Sequence, residues 1–402
     1  MNNINVKSNW KKIFALMYTG QAFSVIGSSA AQFAIIWYLT IKTQSAVVLT
    51  IASVVGFLPQ GLISPFAGVW VDRCSRKSVM MIADGFVALC GAVLGISFLF
   101  GEPSVWFIYV ILFLRAIGST FHAPALAAAI PTLVPEEYLV KSGGWGQAVT
   151  SGSNMLGPVI GAFMMSVATV PVVMLVDVVG AVLAIGALIF VKVPKIPREN
   201  EKSRFIDDIK QGISAIWGNK ALVAMGIPML VACVMFMPLS SLLPLLVNKH
   251  FGGGEIYTGI SKFLYSGGYV VGAVALGIFG GAKKQFKMIA SSLIVLGVVS
   301  AVGGVLPSNC FLAFLILIFV FGVAATCYLV PYTAYVQKSL EPGVIGKVMS
   351  LLTSIMSLAV PLGLAFAGPL ADVVGINIWY FISGSIIILL GIWSMIVACK
   401  YE

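Results

Sequence analysis

The sequence is poor in charge: 9% of its 402 residues are Asp, Glu, Lys or Arg. Soluble globular domains carry about 25%, so water is excluded as the solvent for most of this chain. Histidine is scarcer, with His122 and His250 alone, and the six cysteines (Cys74, Cys90, Cys233, Cys310, Cys327 and Cys399) form no CxxC pair. That leaves no ligand spacing for a metal and no disulfide framework. There is no GxxxxGK phosphate loop, no HExxH and no paired carboxylates at a membrane surface, which argues against ATP use and against a polytopic membrane enzyme. No repeated filter or charged ring marks a channel, and short alternating strands of a membrane barrel are missing.

Apolar residues are abundant instead, at 59%, with a mean hydropathy of +1.04. About 20 consecutive apolar residues span a bilayer as a helix. Twelve such runs are predicted, at 13–39, 46–71, 78–100, 104–130, 143–168, 170–191, 220–247, 256–281, 287–306, 310–336, 347–370 and 375–398. The runs accommodate many of the 42 glycines and 18 prolines, because small residues let helices approach closely in lipid and neighbouring helices absorb backbone breaks. The opening "MNNINVKSNWKKIF" leads directly into the first run, and is expected to act as an uncleaved insertion signal.

The net charge of +10 is a matter of position. Threading twelve spans with the amino terminus inside places all 24 Lys and Arg in the cytosol except Lys42, Lys249, Lys262 and Arg115. This is the positive-inside pattern, so both termini are expected in the cytoplasm, and nucleic acid is not an expected partner.

The longest polar stretch is central, at 191–220. Ile206, Ile209, Ile213 and Ile216 recur there at helical spacing, with Asp207, Asp208 and Lys210 between them. We read an amphipathic helix on the inner membrane surface. It separates an N-terminal six-helix half, 1–192, from a C-terminal six-helix half, 220–402, with 193–219 as the cytoplasmic linker. The halves share features: the spacing of Pro124 and Pro135 after the fourth span recurs in Pro331 and Pro342 after the tenth, and the Gly68 corner has a counterpart at Gly277. Two related halves around a long joint suggest alternating access.

Polar residues interrupt several spans at helical spacing: Gln21, Ser24, Ser28 and Gln32 in the first, and Gln147, Ser151 and Asn154 in the fifth. Ser261, Tyr265 and Tyr269 mark the eighth, Tyr328, Tyr332 and Tyr335 the tenth, and Ser350, Ser354 and Ser357 the eleventh. Facing lipid, each unpaired group would cost a few kcal/mol. They are expected to face inward, either bonding helix to helix or lining a shared cavity. Arg115 lies near the middle of the fourth span, where a charge costs roughly 2.5–3.5 kcal/mol on insertion scales; it is expected to be functional or firmly paired. His122 projects from the same helical face. Asp177 lies two turns inside the outer end of the sixth span and is open to a proton-handling or a structural role. Asp84, near the inner end of the third, is read as a partner for the basic corner.

That corner is "GVWVDRCSRK", residues 68–77. Gly68, Asp72, Arg73, Arg76 and Lys77 resemble the second-to-third-span signature of the major facilitator superfamily. Arg115 with Gly118 resembles its fourth-span motif, and Gly157, Pro158 and Gly161 in "SNMLGPVIGA" its fifth-span antiporter motif, with Ser153 where a glycine is usual. More specifically, "GQAFSVIGSSAAQFAIIWYLT", "ASVVGFLPQGLISPFAGVWVDRCSRK" and "FLRAIGSTFHAPALAAAIPTLVPEEYL" resemble the Mef-type macrolide efflux proteins of Gram-positive bacteria.

The resemblance implies an all-α, twelve-helix fold in a bacterial cell membrane, two six-helix halves around a central cavity. It implies proton-coupled efflux of bulky amphipathic compounds such as macrolides, with a siderophore, lipid or other metabolite as the alternative cargo. The expected partners are that small molecule, protons and membrane lipid; the chain is expected to act as a monomer without cofactor or metal. The resemblance also implies that Asp72 docks near the amino end of span eleven, where a helix dipole favours a carboxylate. The first span lacks the acidic residue that many drug/proton antiporters of the superfamily carry. Proton coupling is therefore expected from Asp177, Asp84 or Asp372, with Arg115 and His122 as companions. Met229, Met235, Phe236 and Met237, with the tyrosines, suit a large greasy ligand.

Overall fold

The computed structural model describes residues 10–135, 138–191, 205–279, 284–340 and 342–401. The described chain is helical, with no strand. The first six long helices are α1 (Trp10–Thr43), α2 (Ala46–Arg73), α3 (Arg76–Leu99), α4 (Val105–Leu133), α5 (Leu139–Val167) and α6 (Val170–Phe190). A short α7 (Phe205–Gly218) follows, then α8 (Lys220–Lys249), α9 (Glu255–Phe279), α10 (Gln285–Val305), α11 (Phe311–Ser339), α12 (Pro342–Val374) and α13 (Ile376–Tyr401).

Local sequence explains where the helices begin. Ser104 caps α4 by accepting from Phe107 N–H at 3.3 Å, and Asn219 caps α8 by accepting from Ala221 and Leu222 N–H at 3.1 and 3.2 Å. Gly375, at φ +95°, makes the left-handed turn that separates α12 from α13. Ten helices meet length and hydropathy criteria for a membrane span over their described residues. The other two long helices are α5 and α9. Ser151, Ser153 and Asn154 lower the hydropathy of α5, as Lys262, Tyr265 and Tyr269 lower that of α9. At 29 and 25 residues both are long enough to cross a bilayer.

The chain divides into two compact units, Met1–Lys42 with Val55–Asn200, and Thr43–Val54 with Glu201–Glu402. They part within the linker, of which 192–204 lies outside the described residues. The first turns of α2 group with the second unit, which a division by six spans does not anticipate.

In the first unit α3 packs on α4 and α6. Small residues set α1 against two neighbours. A Cβ on Gly27 would lie 2.9 Å from Asp177 Cα on α6, and one on Gly161 would lie 2.8 Å from the Ala30 carbonyl on α1. Gly157 likewise seats α5 against Ser29. Any larger residue would push these helices apart. Toward one end, Met17, Tyr18, Val71, Met80 and Leu188 form an apolar core. In the second unit α10 packs on α13 and α11, α9 on α11, and α8 on α12 and α13.

Candidate functional site

The first unit gathers two carboxylates beside one face of α1. Asp177 on α6 is 1% exposed and forms an ion pair with Arg115 of α4, whose Nη1 donates to Asp177 Oδ2 and, at 3.3 Å, to the Val87 carbonyl of α3. Ser28 Oγ donates to the other carboxylate oxygen at 2.7 Å. Gly91 forms the floor: a Cβ there would stand 2.9 Å from Asp177 Oδ2 and 3.0 Å from Arg115 Nη1. A buried ion pair is tolerated only when its remaining hydrogen-bonding capacity is met, and Ser28 and Val87 supply part of it.

Asp84 on α3 is 7% exposed and has different company. Gln21 Nε2 donates to it at 3.1 Å and Ser24 Oγ at 3.0 Å. His122 Nε2 of α4 stands 3.6 Å from Asp84 Oδ1. This differs from the reading of Asp84 as a partner for the basic corner. The reason is distance along the helix: Asp84 is eight residues beyond Arg76, about 12 Å at 1.5 Å per residue. The two sites therefore differ in chemistry. Asp177 has a permanent cation against it, whereas Asp84 has two neutral donors and one imidazole that is charged only when protonated.

Of the α1 stripe, Gln21 and Ser24 are buried on Asp84, Ser28 is half-buried on Asp177, and Gln32 is exposed. Ser151 is half-buried, and Asn154, exposed, accepts from Ser29 Oγ at 3.2 Å. The side chain of Gln147 lies outside those described. A cavity of about 620 Å³ opens in the first unit between α1 and the start of α5, walled by Trp10, Phe14, Tyr18 and Tyr138 with Lys11 at its edge.

In the second unit, Tyr328 and Tyr332 are 1% and 2% exposed. Tyr328 Oη lies 4.0 Å from Cys233 Sγ of α8. Tyr332, Cys233 and Met229 line a cavity of about 340 Å³, completed by Trp217 of α7 and Met356 of α12. It falls within the size of small-molecule sites, and its wall is largely apolar, as such sites are. Tyr265 of α9 sits elsewhere, its ring 5.8 Å from that of Phe321. Among the described residues no cluster of His, Cys, Asp or Glu has the makings of a metal site.

Residues 17–359 match the model of the Major Facilitator Superfamily. The chain belongs to that superfamily. It is 37% identical over 387 residues to Macrolide efflux protein A of Streptococcus pyogenes, covering 96% of each chain. It is 35% identical to Macrolide efflux protein A of Enterococcus faecalis, over 80% of this chain and 99% of that one. Among solved structures it is similar in fold to a bacterial homologue of the iron transporter ferroportin in its inward-facing state. That match has a TM-score of 0.76 at 15% identity and covers 96% of this chain and 98% of the other. The superfamily and these relatives are transporters, and its members take small molecules as substrates.

The superfamily signatures are placed unevenly. Gly68, Asp72 and Arg73 end α2, but their side chains lie outside those described. Lys77 is described, and Nζ donates to the Ile189 and Val191 carbonyls at 2.9 Å each. These are among the last carbonyls of α6, where a cation meets both the orphan acceptors and the negative end of the helix dipole. Arg76 opens α3. In the antiporter motif, Gly157 and Gly161 face α1, and Pro158 lies within α5.

Sequence reasoning named Arg115, His122, Asp84 and Asp177 without pairing them. It mentioned Asp372 only as a fallback and missed its partners. Asp372 of α12 accepts from Ser45 Oγ at 2.7 Å, Ala46 N–H at 2.6 Å and Val47 N–H at 3.0 Å. The available signal was Ser45, a good N-cap residue just before α2.

Proposed function

We propose that this chain is a multi-pass exporter of the bacterial cell membrane that moves bulky amphipathic compounds, macrolides first among them, outward in exchange for protons. The observation that carries the cargo reading is the likeness to Macrolide efflux protein A along nearly the full length of both chains. Both termini lie in the cytoplasm in this reading, the working unit is one chain, and membrane lipid surrounds it.

Proton coupling rests on the contrast between the two buried carboxylates. Asp177 is neutralised by Arg115 whatever the proton does, so the pair anchors α4 to α6. Asp84 has no such guarantee. Asp84 and His122 face each other at 3.6 Å, close enough to share one proton, and with that proton the site carries no net charge. The proton therefore joins the Asp84–His122 pair in the outward-facing state and leaves it in the inward-facing state. Gln21 and Ser24 report the change to α1, because they bond to Asp84 directly. The apolar cavity around Tyr332 and Met229 takes part of the cargo, with the tyrosine hydroxyls as polar handles.

The test is accumulation of radiolabelled erythromycin in drug-sensitive cells that express the protein, with and without a protonophore, beside an Asp84→Asn variant of equal membrane abundance. Reduced accumulation, restored by either the protonophore or the substitution, is the expected result. Unchanged accumulation with the protein in the membrane would remove macrolides as cargo and turn attention to siderophores and lipids.

A further inference from the structure

The first turns of α2 are held by α12. Asp372, in the last turn of α12, receives the Ser45 hydroxyl and the Ala46 and Val47 amides, all at the start of α2. Ser45 caps α2 itself, accepting from Val48 N–H at 3.4 Å, and the Asp372 carboxylate, more than 320 residues away in sequence, takes the two amides before it at the positive end of that helix. One turn earlier on the same face, Gly368 lies against Thr50, so closely that a Cβ would overlap the threonine side chain. Thr50 itself is 5% exposed. Next to them, Gln44, in the left-handed region at φ +52°, donates to Asn248 of α8 at 2.8 Å. Thr43–Val54 groups with the second unit.

The same seven-residue pattern ends both helices. Residues 66–72 read FAGVWVD and 366–372 read FAGPLAD. In each, a glycine precedes an aspartate by four positions, so both lie on one helix face. In α12 the glycine admits a close neighbour and the aspartate caps it.

We propose that Gly368 and Asp372 form the outer latch of the transport cycle, holding the start of α2 to α12 and releasing it when the halves part on the outside. By sequence α2 belongs to the first half and α12 to the second, so alternating access requires this contact to break once per cycle. The inference rests on alternating access and on the positive-inside orientation, and needs neither the macrolide nor the proton assignment.

The experiment follows accessibility instead of export. Thr50→Cys, in a Cys310→Ser, Cys399→Ser background, reports the outer latch through labelling by a membrane-impermeant maleimide in intact cells. Native Cys74, an exposed residue beside Asp72, reports the inner corner in inside-out membranes. Both preparations are labelled for both reporters, which checks orientation separately. Asp372→Ala is expected to raise Thr50→Cys labelling about fivefold, the effect of losing one good helix cap, and to lower Cys74 labelling. Gly368→Leu, which leaves Asp372 in place but forces the helices apart, is expected to act in the same direction. Should Gly368→Leu fail to reach the membrane, Asp372→Ala decides. Unchanged Thr50→Cys labelling would overturn the latch. So would a rise at Thr50→Cys with Cys74 unchanged, since that marks local fraying of α2 and no exchange between states.

Discussion

The two units bury their polarity differently. The first draws Arg115, Asp177, Asp84 and His122 together from α3, α4 and α6 and ties them to α1 through Gln21, Ser24 and Ser28. The second buries Tyr328 and Tyr332 and places Cys233 and Met229 beside them, a polarizable and nearly uncharged interior. Among its described charges, Lys262 lies two turns inside the start of α9 and Asp372 in the last turn of α12. The two units thus differ in the chemistry they bury. A charged interior suits proton exchange; an aromatic and sulfur-lined one suits an amphipathic ligand. The proposed scheme assigns the proton to the first and much of the cargo to the second.

The strongest way to break this comparison is Arg115→Ala. It strands the Asp177 charge in a buried site, with an expected loss of about 3–5 kcal/mol, read as a lower melting temperature in detergent and lower membrane abundance. Replacing both partners, Arg115→Leu with Asp177→Leu, should recover much of that stability. If Asp84 and His122 carry the proton, the double variant should also regain export. Stable protein without export would move the proton to the Arg115–Asp177 pair.

Next in size is Asp84→Asn. The amide keeps the shape and accepts from one neutral donor, so the melting temperature should change little. Export driven by the proton gradient should fall to background. A neutral substitution at His122, His122→Gln, should weaken coupling in the same direction but less, because Asp84 can still take a proton; export measured against external pH distinguishes the two.

In the second unit, Tyr332→Ala should leave proton coupling intact and change cargo affinity by about 3–10-fold, the scale of one lost aromatic contact. Competition between erythromycin and other amphipathic compounds would show a changed rank order. Loss of protonophore sensitivity in this variant would contradict the division between the units. The smallest effect is expected from Gln32→Ala. Gln32 lies on the exposed side of α1, and its removal should alter stability by less than about 0.5 kcal/mol.

Much of this was legible in the sequence, for reasons of scale. A span needs about 20 apolar residues, and a signal of that length survives the polar interruptions of α5 and α9. The inward face of α1 was legible because Gln21, Ser24 and Ser28 recur at helical spacing. The need of Arg115 for company followed from the cost of a charge in lipid. Which acid it meets did not follow, because that choice is made by helix crossings set at Gly27, Gly91 and Gly180, each on a different helix. Asp84 was assigned to the wrong neighbourhood because nearness in sequence to a basic corner was taken for nearness in space. Asp372 was legible as an acid at a helix end but not as a cap, since its partners lie in another half of the chain.

The measurement that tests the account most directly is uphill transport in proteoliposomes with an imposed pH gradient. Wild-type protein and Asp84→Asn would be compared for gradient-driven accumulation of erythromycin and for exchange of labelled against unlabelled drug without a gradient. The account predicts that Asp84→Asn loses the first and keeps the second, because it removes the exchangeable proton and leaves the cargo site. Gradient-driven accumulation by Asp84→Asn at the wild-type level would contradict it.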